Sequence, residues 1–470
     1  MLKLIIEKEL RETIGSSRFA ISFGICALLI ILAFYVGARN YQVTRAQYEA
    51  ALAENLRQME GITDWMMVDQ HIFLPPLPIA ALVTGIANDI GRTVEVHGRG
   101  ELTAEGSRFN EDPLFAVFRF LDLDFIFQIV LSLFAILFAY NAINGEKEQG
   151  TLRLTFANAV PRATYILGKM AGTFLALAVP LLIPLLIGYL LLILLGIPLN
   201  GGDWGRLALI IGAGLLYFGV FLTLSIWVSA LTRRSASSFL LLLILWLFAV
   251  LIIPRSAVLL AGRAVDVLPI DEIATQKSRL MAQLWEEDRK VMANFRPSQT
   301  EDTEAMLNEF NQFMQDQAEK REQKLRALSE RLEEQRRNGE RLRERWALWL
   351  ARLSPTASFS LAAMNLAGTS LMLKQQYLDA ANAYQERYAA FIGEKTGGML
   401  RSGGFVVRRI GGADNQPPPI DPREIPAFDY QPPPLPEAAA TSLADIGLLA
   451  CFNLLCFAGA FVGFLRYDVR

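Results

Sequence analysis

The amino-acid sequence predicts a mainly α fold: a polytopic six-helix membrane domain with two external segments, the larger one rich in long amphipathic helices. Three observations predict it. Of the 470 residues, 53% are hydrophobic and 20% are charged, with a mean hydropathy of +0.30. These values coexist only if apolar and charged residues occupy separate blocks. Six blocks are apolar enough to cross about 30 Å of hydrocarbon, which takes about 20 residues. Lys and Arg gather beside these blocks on one side of the membrane. The composition also excludes other classes. So apolar a chain is not disordered. With 45 Lys+Arg against 47 Asp+Glu and a net charge of −2, it carries no basic signature for nucleic acid. Three Cys do not make a disulfide scaffold, and two His, with Cys confined to apolar runs, do not suggest a multi-ligand metal centre.

The spans follow in order. The first covers residues 19–37 and is preceded by Lys3, Lys8, Arg11 and Arg18. That charged stretch is long for a signal peptide and no small-x-small cleavage site follows, so the span reads as a retained anchor. The second covers residues 125–143. The third covers 170–198 and contains Pro180 and Pro184, each of which removes a backbone donor and favours a kink. The fourth covers 207–231, the fifth 239–253 and the sixth 446–465. Cys26, Cys451 and Cys456 lie in the first and sixth spans and read as small packing residues.

The first external segment, 38–122, opens as a polar helical continuation of the first span. A Pro-rich bend follows (LPPLPIAAL), then an alternating stretch at 93–96 that suggests a strand or two, with His97 behind it. The second, 255–441, is large enough for a domain of its own. From Thr303 its apolar positions Met306, Phe310, Phe313, Leu325, Leu328, Leu332, Leu342, Trp346 and Trp349 recur mostly three or four apart within a dense mixed-charge surface. This predicts a long amphipathic helix or helical hairpin with a narrow apolar seam, with Gly339 as its weak point or turn. Leu353-Ser354-Pro355-Thr356 ends it, a second helical stretch runs to about Gly393, and a Gly/Pro-rich arm leads back to the sixth span. The charges nearly balance, so the long helix reads as a solvated scaffold. The sharper reading is a docking surface for a periplasmic partner or a second protomer.

Basic residues set the orientation. The N-terminus, the loop 144–169 with Lys147, Arg153, Arg162 and Lys169, the turn with Arg233 and Arg234, and the C-terminus with Arg466 and Arg470 all fall inside. The loop between spans three and four carries no basic residue before Arg206 and falls outside.

Catalytic motifs are missing. The one Gly-Lys pair, Gly168-Lys169, is followed by Met170 and has no glycine five residues before it, so it is not a phosphate-cradling loop. No GxSxG, HExxH or CxxC pattern occurs. His71 and His97 share the first external segment without a third ligand. The six apolar cores contain no ionisable residue, which argues against an ion-coupled pump. A polytopic chain of this kind moves its substrate passively or takes energy from a partner.

The loop 144–169 carries the most information. Glu146 and Glu148 precede an apolar helical face of Leu152, Leu154 and Phe156, and Pro161 starts the segment leading into the third span. On its own this reads as an interfacial helix, held at the membrane surface or under a cytosolic partner. The stretch E-x-E-x-G-T-L, followed by Pro161-Arg162 and Gly168-Lys169, resembles the permease subunits of type-2 ABC exporters. The resemblance implies that 144–169 is the cytosolic coupling loop, docked in a groove of a cytosolic ABC ATPase subunit. Glu146 and Glu148 would then meet basic groups, Leu152 and Phe156 would fill the groove, Thr151 would stand in the motif, and Gly150 would permit a close approach or a turn. It also implies that residues 1–18 form the amphipathic cytosolic helix by which the chain enters the membrane. No cofactor is expected in this chain, since ATP and Mg would belong to the partner ATPase. The chain would not itself be an enzyme. Pro254-Arg255 and residues 354–370 resemble a bacterial subgroup with an enlarged external domain. A bacterial inner-membrane location, with both termini cytoplasmic, rests on the same resemblance.

Two functions are compatible with this reading. In the first, two protomers, identical or paralogous, export an amphipathic, lipid or peptide cargo, with small residues such as Gly172, Gly459 and Gly463 allowing close helix packing. In the second, the chain is an ATPase-driven mechanical transducer or scaffold that acts through its external domain. Membrane lipids are partners in both.

Overall fold

The computed structural model describes residues 1–68, 70–87, 93–96, 104–105, 122–158, 160–293, 303–395 and 420–466. Among them, six helices are long and apolar enough to cross a membrane: Ser17–Gln58, Leu123–Glu148, Arg162–Leu194, Gly201–Leu231, Ser235–Ala264 and Leu435–Leu465. The protein is therefore a mainly α polytopic membrane protein. The chain divides into two compact units, one comprising Met1–Val250 with Ser354–Arg470 and the other Leu251–Leu353.

In the first unit, α1 (Leu2–Ile14) precedes α2 (Ser17–Gln58). Ser16 caps α2 by accepting from the Phe19 amide at 3.2 Å, satisfying one of the free amides of the first turn. The second span includes a π-helical stretch, Ile126–Leu131, then α3 (Ser132–Ala139) and the short α4 (Asn144–Glu148). Next come α5 (Thr151–Ala157), α6 (Arg162–Leu194), α7 (Gly201–Leu231) and α8 (Ser235–Trp246). The α6 helix runs on through Pro180 and Pro184, and α7 starts at a reciprocal cap between Asn200 and Asp203. The last span is α14 (Leu435–Leu465). It packs along α7, where Gly459 gives way to Trp227: a Cβ there would stand 2.5 Å from the indole.

Each of these helices is longer than its apolar block. Lys169, Arg206 and Asp445 lie inside helices and are buried, so the membrane helices do carry buried ionisable groups at their ends.

The structure divides the predicted external segment 255–441. One part returns to the membrane unit. There α12 (Pro355–Ala367) is buried along most of its length among the start of the second span, α7 and α14. Phe359 stacks on Tyr217 at 5.2 Å, and the Tyr217 hydroxyl lies 3.0 Å from Thr356 Oγ1. Ser354 caps α12 and also donates to the Ala249 carbonyl in the fifth span. At 13 residues, α12 is too short to span, so hydropathy alone did not mark it as a membrane element.

The α13 helix (Met372–Lys395) joins the first external segment instead. Strands β1 (Gln70–Phe73), β2 (Thr93–Val96) and β3 (Ala104–Glu105) form an antiparallel sheet with Gln70 opposite Val96 and Thr93 opposite Glu105. Its buried Ile72, Val94 and Val96 pack on Tyr377, Tyr384 and Tyr388 of α13. Each tyrosine hydroxyl donates to a backbone carbonyl, of Ile72, Pro426 and Val68 respectively, so no polar tip is wasted in the core. Asn55, near the end of α2, bonds the backbone of His71 through both atoms of its amide.

The second unit holds α9 (Ile253–Ala264), α10 (Ile270–Ala293) and α11 (Thr303–Ala351). The α11 helix has 49 residues, about 73 Å at 1.5 Å per residue. Gly339 does not break it; it lies opposite Asp266 and Val267 in the α9–α10 connection. Arg321 meets Asp288 at 2.6 Å and covers the ring of Trp285 at 4.3 Å, fixing α10 against α11.

Candidate coupling site

The loop 144–169 folds into α4, a turn and α5, and leads through Pro161 into α6. Gly150 makes the turn. Its φ of +73° is left-handed, and nothing lies within 4 Å of where a Cβ would stand. The residue supplies backbone freedom rather than a close approach.

Glu146 is the hub. Its Oε1 accepts from Lys169 Nζ at 2.9 Å and from Lys8 Nζ at 3.1 Å, while Oε2 accepts from the Tyr165 hydroxyl. Lys169 also donates to Glu9 Oε1 at 2.8 Å. The side chains of Lys169, Glu9 and Glu146 are only 5%, 8% and 12% exposed. One buried ammonium thus holds carboxylates from α1 and α4 at once. Gly172 makes room for it, since a Cβ there would stand 2.8 Å from Glu9 Cβ. Burial pushes the Glu9 carboxyl above its usual range, against the pull of the Lys169 cation.

The other side of α4 is fastened to the turn between α7 and α8. The amides of Ile143 and Asn144 donate to Ser229 Oγ, and the Asn144 amide group donates to Thr232 Oγ1 at 3.0 Å. Lys147 donates to the Ala230 carbonyl at 2.6 Å. Glu148 accepts from the Ser235 amide at 2.9 Å and its hydroxyl at 2.7 Å, so its charge sits at the N-terminus of α8. The five-residue α4 therefore contacts α1, α6, the end of α7 and the start of α8.

The α5 helix packs with Leu152, 2% exposed, and Phe156 turned inward. The Phe156 ring lies 5.4 Å from Tyr165 and 5.9 Å from Phe464. Thr151 donates to the Glu146 carbonyl at 3.4 Å, tying α5 back to α4. Leu154 is 67% exposed. The predicted face of Leu152, Leu154 and Phe156 is therefore not one face: at about 100° per residue, positions two apart fall on opposite sides of a helix. Glu146, Leu152 and Phe156 are engaged within the chain. The outward surface consists of Glu148, Gln149, Gly150, Arg153, Leu154, Ala157 and Asn158.

Sequence reasoning missed Glu9, Lys8, Tyr165 and Lys169. The Gly168-Lys169 pair was the available signal; it was weighed as a phosphate loop, as an orientation charge and as part of the family motif, and not as an ion-pair partner of Glu9 and Glu146. Among the described residues, no group of three or more His, Cys, Asp and Glu is placed to hold a metal. His71 lies in β1, while His97 is outside the described residues.

Six candidate spans and a buried polar hub beneath them define a polytopic membrane protein built around a fixed element between its second and third spans. The family model for "ABC-2 family transporter protein" matches residues 4–469, and the chain belongs to that family, whose members are membrane permease components of ABC transporters. No curated protein matches the chain.

Proposed function

We propose that the chain is the permease subunit of an ATP-driven exporter, paired with a second protomer and with a cytosolic ABC ATPase that supplies ATP and Mg chemistry. The ATPase docks on the outward surface of α4 and α5, around Glu148, Gly150, Arg153 and Leu154. The supporting observation is the hub: Glu146 joins α4 to α1 and α6, while Asn144, Lys147 and Glu148 join it to α7 and α8. A push on α5 reaches four membrane-associated elements without an intervening flexible segment. The α4–α5 side and both termini would be cytoplasmic in a bacterial inner membrane, and the cargo would be amphipathic. Leu152 and Phe156 hold α5 in place for docking, a change from the groove-filling role that the resemblance implied.

The test is co-purification with the cognate ATPase in detergent, with ATP turnover read in parallel. Leu154→Asp and Arg153→Glu leave the inward packing intact and should lose the ATPase. Undiminished binding and turnover in both variants would refute docking on this surface. A second reading, a mechanical transducer, is favoured by the separate unit Leu251–Leu353 with its 49-residue helix. A partner of that unit, rather than cargo, would then stimulate ATP turnover.

A further inference from the structure

The second unit has an apolar collar at the end where the chain enters it at Leu251 and leaves it at Leu353. On α9 the collar consists of Val258, Leu259 and Leu260, and on α11 and the turn that follows it of Trp346, Trp349 and Leu353. All six are exposed, Trp349 by 75%, Leu259 by 69% and Trp346 by 52%. Farther along the unit Trp285 is treated differently, with the Arg321 guanidinium over its ring.

Two contacts fix the register of these antiparallel helices: Gly262 faces Arg343, and Gly339 faces Asp266. Carried forward, that register sets Trp346 level with Leu259, and Trp349 level with Ser256. The depth follows from the fifth span, whose helix runs Ser235–Ala264. Some 30 Å of hydrocarbon takes about 20 residues, so a helix that begins at Ser235 reaches the far boundary near Arg255. Residues 256–260 then lie within about 8 Å beyond it, at 1.5 Å per residue, which is the headgroup layer.

We propose that this collar is seated in the lipid headgroup layer at the end of the fifth span, with anionic lipid as its ligand. The proposal rests on the membrane-spanning assignment, not on any cargo. Trp is the side chain that favours this layer, where its ring meets the acyl boundary and its N–H meets water. The charge agrees. Arg255, Arg263, Arg341, Arg343 and Arg345 are exposed around the collar and outnumber the nearby acids Asp266, Glu340 and Glu344, of which Glu340 is paired with Arg336 at 2.9 Å. Juxtamembrane arginines attract anionic headgroups. A second copy of the chain is the competing occupant, because Leu342, Trp346, Trp349 and Leu353 are spaced as a coiled-coil seam. Two features favour lipid. Val258, Leu259 and Leu260 are consecutive, so they point about 100° apart and make a ring, whereas a helical partner covers a stripe. The arginine surplus would also repel its own copy.

The test uses the full chain in nanodiscs of phosphatidylcholine brominated either high or low on the acyl chain, with and without phosphatidylglycerol. Wild type is compared with the conservative double variant Trp346→Phe, Trp349→Phe, so that the difference emission reports those two rings. It should be blue-shifted and quenched more by the shallow bromines than by the deep ones, and phosphatidylglycerol should strengthen the quenching. Arg341→Glu with Arg345→Glu should abolish that strengthening. A difference emission typical of water, or a blue-shifted one that bromine leaves unquenched while the double variant loses its dimer, overturns the proposal. So does lipid dependence that survives the arginine changes.

Discussion

The Glu9 carboxylate and the Lys169 ammonium, 160 residues apart in the chain, meet at 2.8 Å with both side chains more than nine-tenths buried. The contact fastens the N-terminal helix to the base of the third span. Because Lys169 also holds Glu146, one cation joins α1, α4 and α6, beside the direct bonds of Lys8 and Tyr165 to Glu146.

Removing that cation leaves two buried carboxylates with only Lys8 near them. Lys169→Met is expected to destabilise the protein by about 3–5 kcal/mol, the usual cost of breaking a buried pair from one side. Thermal unfolding in detergent reads this directly. Adding Glu9→Gln to Lys169→Met should recover part of the loss. If Lys169→Met costs no more than Lys8→Ala, the hub is not holding the helices.

Glu9 should respond to pH in the sense opposite to most paired carboxylates. Its value is raised by burial, so the fold disfavours its charge. A raised acid contributes stability that is present at low pH and lost as pH rises through the raised value. Acidification from neutral toward the ordinary value near 4.5 should therefore recover stability at this site. Glu9→Gln should flatten that part of the profile of unfolding midpoint against pH. An unchanged profile in the variant would disprove the assignment.

Glu148 caps the helix that begins at Ser235. Glu148→Ala is expected to loosen the first turn of α8, because the Ser235 amide loses its acceptor. Frayed residues around Arg234 should become more open to trypsin. Equal cleavage rates in variant and wild type would show that the cap is dispensable.

Gly150 stands in a left-handed conformation with open space around it. Gly150→Ala should therefore cost about 1–2 kcal/mol through the backbone alone. Gly150→Asn should cost less, because asparagine tolerates that region. Equal losses for both would point to a steric cause that the open surroundings do not supply.

The six spans were legible because twenty consecutive apolar residues have few other uses in a protein. Their ends were not. Asp124, Lys169, Arg206 and Asp445 each lie one residue outside a predicted apolar block, because a hydropathy boundary is drawn wherever a charge falls. The rule that found the spans therefore hid the charged groups that finish them, Lys169 above all. Glu146 read as a surface residue because its ion-pair partners lie 138 and 23 positions away. The α12 helix lacked the length to register as a membrane element, and Gly339 looked like a break because the connection it faces is invisible in a linear pattern. The inward side of α5 was misjudged for a simpler reason: Leu154 was grouped with Leu152 by proximity rather than by helical angle.

The α2 helix carries 42 residues without interruption, about 63 Å at 1.5 Å per residue. Its first turn is separated from α1 by only Gly15 and Ser16, and Asn55 near its far end grips the backbone of β1. A twist applied at Ser17 thus meets no break in the helix before it reaches Asn55. One unbroken helix therefore runs from the capped Ser17 end to the residue that clasps β1.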